Sequence, residues 1–210
     1  MRALLLAVQA MRAEGPAAAL PWLGQARDGA AAAGLAVEAA EMELLLGAFA
    51  VAGAGDRGSP IRDLAPVFES AAARAEAAGA PGTAAKARFF LGAAAASNGE
   101  LSIAGPALLA AAEQARGAGD AALAFHALRL AGETAAGAGL RARGVELWAE
   151  AVRLADGMGA AEAEAVGLAA SADALRVAVG RAGTHAFELT ERRWSSRPAA
   201  PVLRAARSPR

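Results

Sequence analysis

The sequence predicts an all-helical protein in which pairs of helices stack side by side. Three markers recur along its 210 residues at nearly constant intervals. A glycine closes each unit, a bulky residue precedes an alanine by three positions, and a small residue follows an apolar one. No stretch shows the alternation of β-branched and polar residues that is typical of strands. A period shared by independent markers indicates a repeat architecture.

The markers agree on a unit of about 40 residues. The closing glycines, which are separated by 45, 40 and 40 residues, are Gly34, Gly79, Gly119 and Gly159. The bulky residue and its alanine recur with the same steps at Leu23/Ala26, Phe68/Ala71, Leu108/Ala111 and Trp148/Ala151. The apolar residue and its small neighbour are Leu6-Ala7, Leu46-Gly47, Leu91-Gly92 and Ala131-Gly132. A helix pair this short cannot bury its apolar stripe alone, so each pair needs its neighbour.

Glycine and proline set the predicted helix boundaries. The predicted helices are 1–14, 16–34, 35–52, 61–78, 82–97, 101–117, 120–136, 140–157 and 160–179. Pro21 should kink or delay the second helix, and Pro106 is placed to shift the start of the sixth. Asp120 is placed to cap the seventh helix. The breaker cluster at 52–60, AGAGDRGSP, accounts for the five extra residues of the first step and indicates a loop insertion.

Charge divides the chain into an acidic body and a basic tail. Residues 1–180 carry 14 Lys and Arg against 19 Asp and Glu, whereas residues 181–210 carry 7 Arg against 2 Glu. We expect a helical repeat domain over 1–180. Over 181–210 we expect a short helix, His185–Trp194, capped by Thr184, and then a basic tail or linker containing arginine and proline.

Composition narrows the classes of function. The chain has no cysteine, which excludes disulfides and thiol nucleophiles and fits a reducing compartment. Uncharged stretches are too short to span a membrane, so we expect a cytoplasmic protein. His126 and His185 have no metal-binding spacing, and the acid pairs at 41/43 and 162/164 do not share a helix face. We therefore expect no enzyme, no cofactor and no metal site.

The units resemble the tetratricopeptide repeat. The resemblance rests on Leu91-Gly92…Gly99…Leu108…Ala111 and on Gly132…Gly139…Trp148…Ala151. It covers about residues 1–180, with a faint fifth unit at Ser171-Ala172 and a period longer than the common one of about 34 residues. It implies a right-handed α-solenoid of antiparallel helix pairs with four to five repeats of about 40 residues.

The same resemblance implies a groove that binds a protein or peptide, lined by the first helix of each pair. When the repeat pattern is matched to this sequence residue by residue, the candidate groove residues are Glu41, Leu44, Lys86, Phe89, Ser97, His126, Arg129, Glu133, Asp173 and Arg176. Lys86 and His126 are equivalent positions. The alternative is that the polar members are ordinary solvated side chains and that Phe89 belongs to the core.

A second, narrower resemblance concerns the ends of the units. EQARGAGDAAL and RLADGMGAAEA are similar to the helical repeat segment of large ATP-binding transcription regulators of the LuxR/MalT-like class, and RRWSSRPAAPVLRAARSPR is similar to the linker that follows it. This implies a sensor segment that lacks the ATPase and helix-turn-helix parts. The alternatives are a helical domain that binds a small molecule and a truncated remnant without independent activity.

The basic tail also raises the possibility of contacts with nucleic acid. The arginines concerned are Arg192, Arg193, Arg197, Arg204, Arg207 and Arg210. Only Trp194 offers base stacking there, and no nucleic-acid-binding module precedes it. We therefore interpret the tail as a linker and expect no direct binding of nucleic acid by this segment.

Overall fold

A computed structural model describes residues 2–54, 61–165 and 167–195. Within these ranges the chain forms ten helices and no strand, which confirms the all-helical prediction. The helices are α1 (Arg2–Glu14), α2 (Pro16–Ala32), α3 (Ala36–Ala54), α4 (Ile61–Ala77), α5 (Pro81–Ser97), α6 (Leu101–Gly117), α7 (Ala121–Gly137), α8 (Arg141–Met158), α9 (Ala160–Ala165) and α10 (Ala169–Ser195). In the described part of the chain, no helix is long and apolar enough to cross a membrane.

The helices pack in the order in which they follow along the chain. Each contacts the next, and α3 also contacts α5, α5 contacts α7, and α8 contacts α10. Every extensive contact within the described ranges joins helices one or two places apart. The core is accordingly a row of adjacent clusters, one around Leu23, one around Phe68, and one around Leu108 and Phe125.

Glycines end the helices as predicted. The four closing glycines, Gly34, Gly79, Gly119 and Gly159, have φ of 74°, 69°, 76° and 82°. Glycine adopts this left-handed conformation without a Cβ clash. After Gly119, the backbone N–H of Asp120 donates to the carbonyl of Ala115 at 2.8 Å, which closes the end of α6. The Asp120 carboxylate then accepts a hydrogen bond from the backbone N–H of Leu123 at 2.9 Å, confirming the predicted cap.

Three prolines lie inside helices at equivalent positions. Pro21, Pro66 and Pro106 are each the sixth residue of α2, α4 and α6. Neither α2 nor α6 starts late, so the predicted delay at Pro21 and shift at Pro106 are wrong. The carbonyl that loses its donor belongs to the second residue of the helix, and Ala17 and Ser102 at those positions are exposed to water. The proline spacing is a further repeat marker that the sequence analysis missed.

The predicted helix 160–179 is interrupted. α9 ends at Ala165, Gly167 has φ 73°, and the backbone N–H of Leu168 donates to the carbonyl of Ala163 at 2.7 Å. This is the same glycine turn that ends the other helices.

The C-terminal helix differs from the prediction as well. α10 continues to Ser195, so no separate helix begins at Thr184. The division at 180/181 stays a prediction. The predicted insertion lies mostly outside the described residues, which omit 55–60, as does the tail at 196–210.

The recurring markers meet in space. A Cβ placed on Gly47 would lie 2.6 Å from the ring of Phe68, and one on Gly92 would lie 2.6 Å from Leu108 Cγ. One on Gly132 would lie 2.4 Å from Trp148. In α4, α6 and α8 the bulky side chain therefore lies directly on a glycine of the preceding helix. Three of the four marker alanines, Ala71, Ala111 and Ala151, have no exposed surface, whereas Ala26 is half-buried.

The closest of these crossings joins α7 and α8 through two glycines. A Cβ on Gly144 would lie 2.8 Å from the backbone oxygen of Gly132, an atom that cannot rotate away. We expect Gly144→Ala to lower the free energy of unfolding by about 1–3 kcal/mol. Gly105, inside α6, has nothing within 4 Å of its hypothetical Cβ, so Gly105→Ala should raise stability by about 0.5–1 kcal/mol. Urea unfolding followed by circular dichroism measures both, and an unchanged Gly144→Ala variant would contradict the close crossing.

Candidate partner-binding surface

The exposed faces of α3, α5 and α7 adjoin in one surface, which we name the odd-helix surface. On α5 the exposed residues Lys86, Phe90 and Ser97, with half-buried Ala93, are spaced by four, three and four positions and lie on one helix face. Because α3 contacts α5 and α5 contacts α7, the equivalent faces are neighbours. The surface consists of Glu41, Leu45, Ala48, Lys86, Phe90, Ala93, Ser97, His126, Leu130 and Glu133.

An apolar row crosses the odd-helix surface. Leu45, Phe90 and Leu130 occupy equivalent positions, separated by 45 and 40 residues. Phe90 is 40% exposed, and the two leucines are half-buried. The ring of Phe90 is stacked on that of Phe68 in α4, with 6.4 Å between centroids. Phe90 is thus held by the core on one side and open to a partner on the other.

Two predicted groove residues lie one position before this row and offer less surface. Leu44 is 6% exposed and belongs to the cluster around Phe68. Phe89 is half-buried and packs against the cluster around Leu108. Side chains at neighbouring helix positions point in directions about 100° apart. A repeat pattern that is aligned one residue too early therefore selects buried residues in place of exposed ones. The shared spacing of Leu45, Phe90 and Leu130 is the signal that would have found the exposed row.

Charged and titratable side chains border the apolar row. Glu41 and Lys86 are exposed and form no ion pair within the described residues, so both are open to a partner. His126, at the equivalent position of α7, is half-buried with its ring 5.6 Å from that of Phe125. Burial, and then the charge of Arg129, lower the pKa of His126, which favours its neutral form.

Other predicted groove residues are engaged within single helices. The guanidinium of Arg129 donates to the Glu133 carboxylate at 2.5 Å, an i,i+4 pair on α7. The backbone carbonyl of Arg129 accepts a hydrogen bond from the indole N–H of Trp148 at 3.2 Å. Ser97 Oγ donates to the carbonyl of Ala93 at 3.0 Å. These contacts fix the side chains of Arg129 and Trp148 relative to α7.

The last two predicted residues belong to another part of the molecule. Asp173 and Arg176 lie on α10, which packs mainly against α8. Arg176 donates to Asp156 of α8 at 2.5 Å and also to Asp173. Hydrogen bonds to these carboxylates raise the pKa of Arg176 above its ordinary value. The structure thus brings Asp173 and Arg176 together with α8 and not with α3, α5 and α7.

A polar network that the sequence analysis missed connects the even-numbered helices. Arg88 of α5 donates to Glu76 of α4 at 2.7 Å and to Gln114 of α6 at 2.5 Å. The hydrogen bond from Arg88 lowers the pKa of Glu76. One unit further on, Arg116 of α6 donates to Glu150 of α8 at 2.5 Å. These partners come from different helices, so the spacing along one helix gives no signal for them.

Neither the residues nor the comparisons identify a bound cofactor. Among the described residues, no group of three or more His, Cys, Asp and Glu is placed to hold a metal ion. No family model matches the chain, and the search of curated proteins finds no match. The odd-helix surface is therefore the feature of this chain that points to a function.

We expect the pKa of His126 to lie below the ordinary value of about 6.5. Because its folded pKa is lowered, His126 contributes stability above pH about 6.5 that is lost as the pH falls through the folded pKa. Arg129→Gln removes a repelling charge and should raise the pKa, whereas Arg27→Gln on α2 should not. NMR titration of the imidazole protons measures all three, and a wild-type pKa above the ordinary value would contradict the burial of the ring.

Proposed function

We propose that this chain is a tetratricopeptide-like repeat scaffold whose odd-helix surface binds a segment of a protein partner. In this proposal the units form a right-handed solenoid of four to five repeats of about 40 residues, with the odd-numbered helices on its concave side. Over α3 to α8, extensive direct contacts join α3 to α5 and α5 to α7, whereas α4, α6 and α8 make none with each other. This supports the concave assignment of α3, α5 and α7, because helices lie closest on the inner side of a curved array.

The observation that carries the proposal is the apolar row in which exposed Phe90 lies between half-buried Leu45 and Leu130. A partly exposed aromatic ring supported by the core is the kind of anchor that dominates protein interfaces. Glu41 and Lys86 beside the row have no partners within the described residues, so they can select charges on the bound segment. The best-suited partner is a peptide or helix with an apolar side chain for Phe90 and flanking charges of both signs.

The proposed biological role is that of a regulatory segment. The resemblance of the unit ends and the tail to LuxR/MalT-like regulators supports a role in transcription regulation in the cytoplasm. We propose no catalytic activity for the chain. The polar groups of the odd-helix surface are exposed singly or paired within one helix, which suits recognition better than a bond-making site with converging acid, base and nucleophile.

Peptides selected from a random library against the wild-type chain test the proposal. Phe90→Ala should weaken their binding about tenfold or more, which corresponds to about 1.4 kcal/mol, because it removes the central anchor. Leu109→Ala is the matched control, since Leu109 is 37% exposed on α6 and lies outside the odd-helix surface. Fluorescence anisotropy measures the affinities. Equal losses in the two variants, or none with Phe90→Ala, would contradict the proposal.

A further inference from the structure

A cleft between α4 and α6 opens on the face of α5 opposite the odd-helix surface. Its volume is about 420 Å³, within the range of small-molecule sites. Arg88 and Leu91 of α5 form its floor, and on a helix with about 100° per residue they point away from Lys86 and Ser97. The side chains of Ile103 and other residues of α4 and α6 make the walls largely apolar. No residue that lines the cleft belongs to the odd-helix surface.

The cleft is open because its α6 wall carries short residues where the next unit carries long ones. Ala110 occupies the position equivalent to Glu150, whose carboxylate crosses from α8 to Arg116 of α6 at 2.5 Å. Pro106 occupies the position of Glu146, which forms an ion pair on α8 at 3.0 Å. Neither Ala110 nor Pro106 can reach across a gap between helices. The short side chains of Ala110 and Pro106 therefore leave this gap open.

The polar residues that line the cleft are Glu69, Arg88 and Ser102, which offer both donors and acceptors. Pro106 has no N–H, so the carbonyl of Ser102, four residues before it, lacks its helical donor, and both residues line the cleft. Glu69 also lines it, is exposed, and forms no ion pair within the described residues. The charge of Arg88 is already matched by Glu76 at 2.7 Å. The unmatched charge at the cleft is therefore negative.

We propose that this cleft binds a small organic cation, an ammonium compound with an aromatic or aliphatic body. The body would contact Ile103 and Ala107, and the ammonium would face the Glu69 carboxylate and the Ser102 carbonyl. Apolar contact area supplies affinity, and the acceptors select for a positively charged donor. This site is tested separately from the proposed partner-binding function, because the two surfaces share no residue, although Phe68 both lines the cleft and supports the ring of Phe90.

Titration of the full chain with three probes of similar size tests the proposal by NMR. The probes are 2-phenylethylammonium, neutral 2-phenylethanol and anionic 3-phenylpropionate. We expect a Kd on the order of 1 mM for the ammonium, weaker binding of the alcohol, and binding of the carboxylate at least about fivefold weaker than that of the ammonium. The shifted amides should include those of Ile103 and Ala110. Equal binding of the anion, or no binding of the ammonium, would overturn the proposal.

Paired variants then locate the site. Ala110→Leu fills the cleft and should weaken binding of the ammonium and the alcohol about tenfold, whereas Ala174→Leu on α10 should not. Glu69→Gln should weaken only the ammonium, by about threefold, and Glu162→Gln, which removes an exposed carboxylate from the distant helix α9, should leave it unchanged. If Ala110→Leu fails to fold by circular dichroism, Ala73→Leu on the opposite wall replaces it. Unchanged binding in a folded cleft-filling variant overturns the assignment.

Discussion

The contact on which this structure depends is a bulky side chain lying on a glycine where two helices cross. Phe68 lies on Gly47, and Leu108 lies on Gly92, at the closest approach of their helices. Most of the remaining core is alanine, which buries little apolar area at roughly 25 cal/mol per Å². Backbones that approach closely gain dispersion contacts that small side chains cannot provide at a larger distance. The close helix crossings at these glycines therefore allow a core made mostly of alanine to stabilise the fold.

The same packing produces the two surfaces of functional interest. The helices α3, α5 and α7 contact each other in turn, which brings their outer faces together in one apolar row around Phe90. The helices α4, α6 and α8 are connected instead by long polar side chains, such as Glu76 with Gln114 and Arg116 with Glu150. Where Ala110 takes the place of such a side chain, the gap between α4 and α6 stays open as the cleft. The odd-helix surface on one side and the cleft on the other thus follow from one arrangement of helices.

The sequence predicted what depends on local conformation and repetition. The glycine turns, the Asp120 cap and the burial of Ala71, Ala111 and Ala151 follow from periodic spacing and backbone preference. The break at Gly167 was not predicted because Gly167 follows the glycine turn at Gly159 by less than the length of one helix. The regular spacing of the turns therefore gave no sign of a further turn there.

Candidate site residues were harder to predict because small angular differences decide them. A shift of one position separates buried Leu44 from the row that contains Phe90, and adjacent phenylalanines give no local signal of which one is outside. The contact of Arg88 with Glu76 and Gln114 joins residues from three helices. Tertiary packing determines such partners, and the periodicity of a single helix carries no information about it.

A double-mutant cycle at Gly92 and Leu108 tests the central contact most directly. A Cβ on Gly92 would lie 2.6 Å from Leu108 Cγ, so Gly92→Ala alone should cost about 2 kcal/mol of unfolding free energy. In a Leu108→Ala background the same change should cost less than half as much, giving a coupling of about 1 kcal/mol or more. Strictly additive losses would show that the glycine and the leucine stabilise the chain independently and would contradict the account.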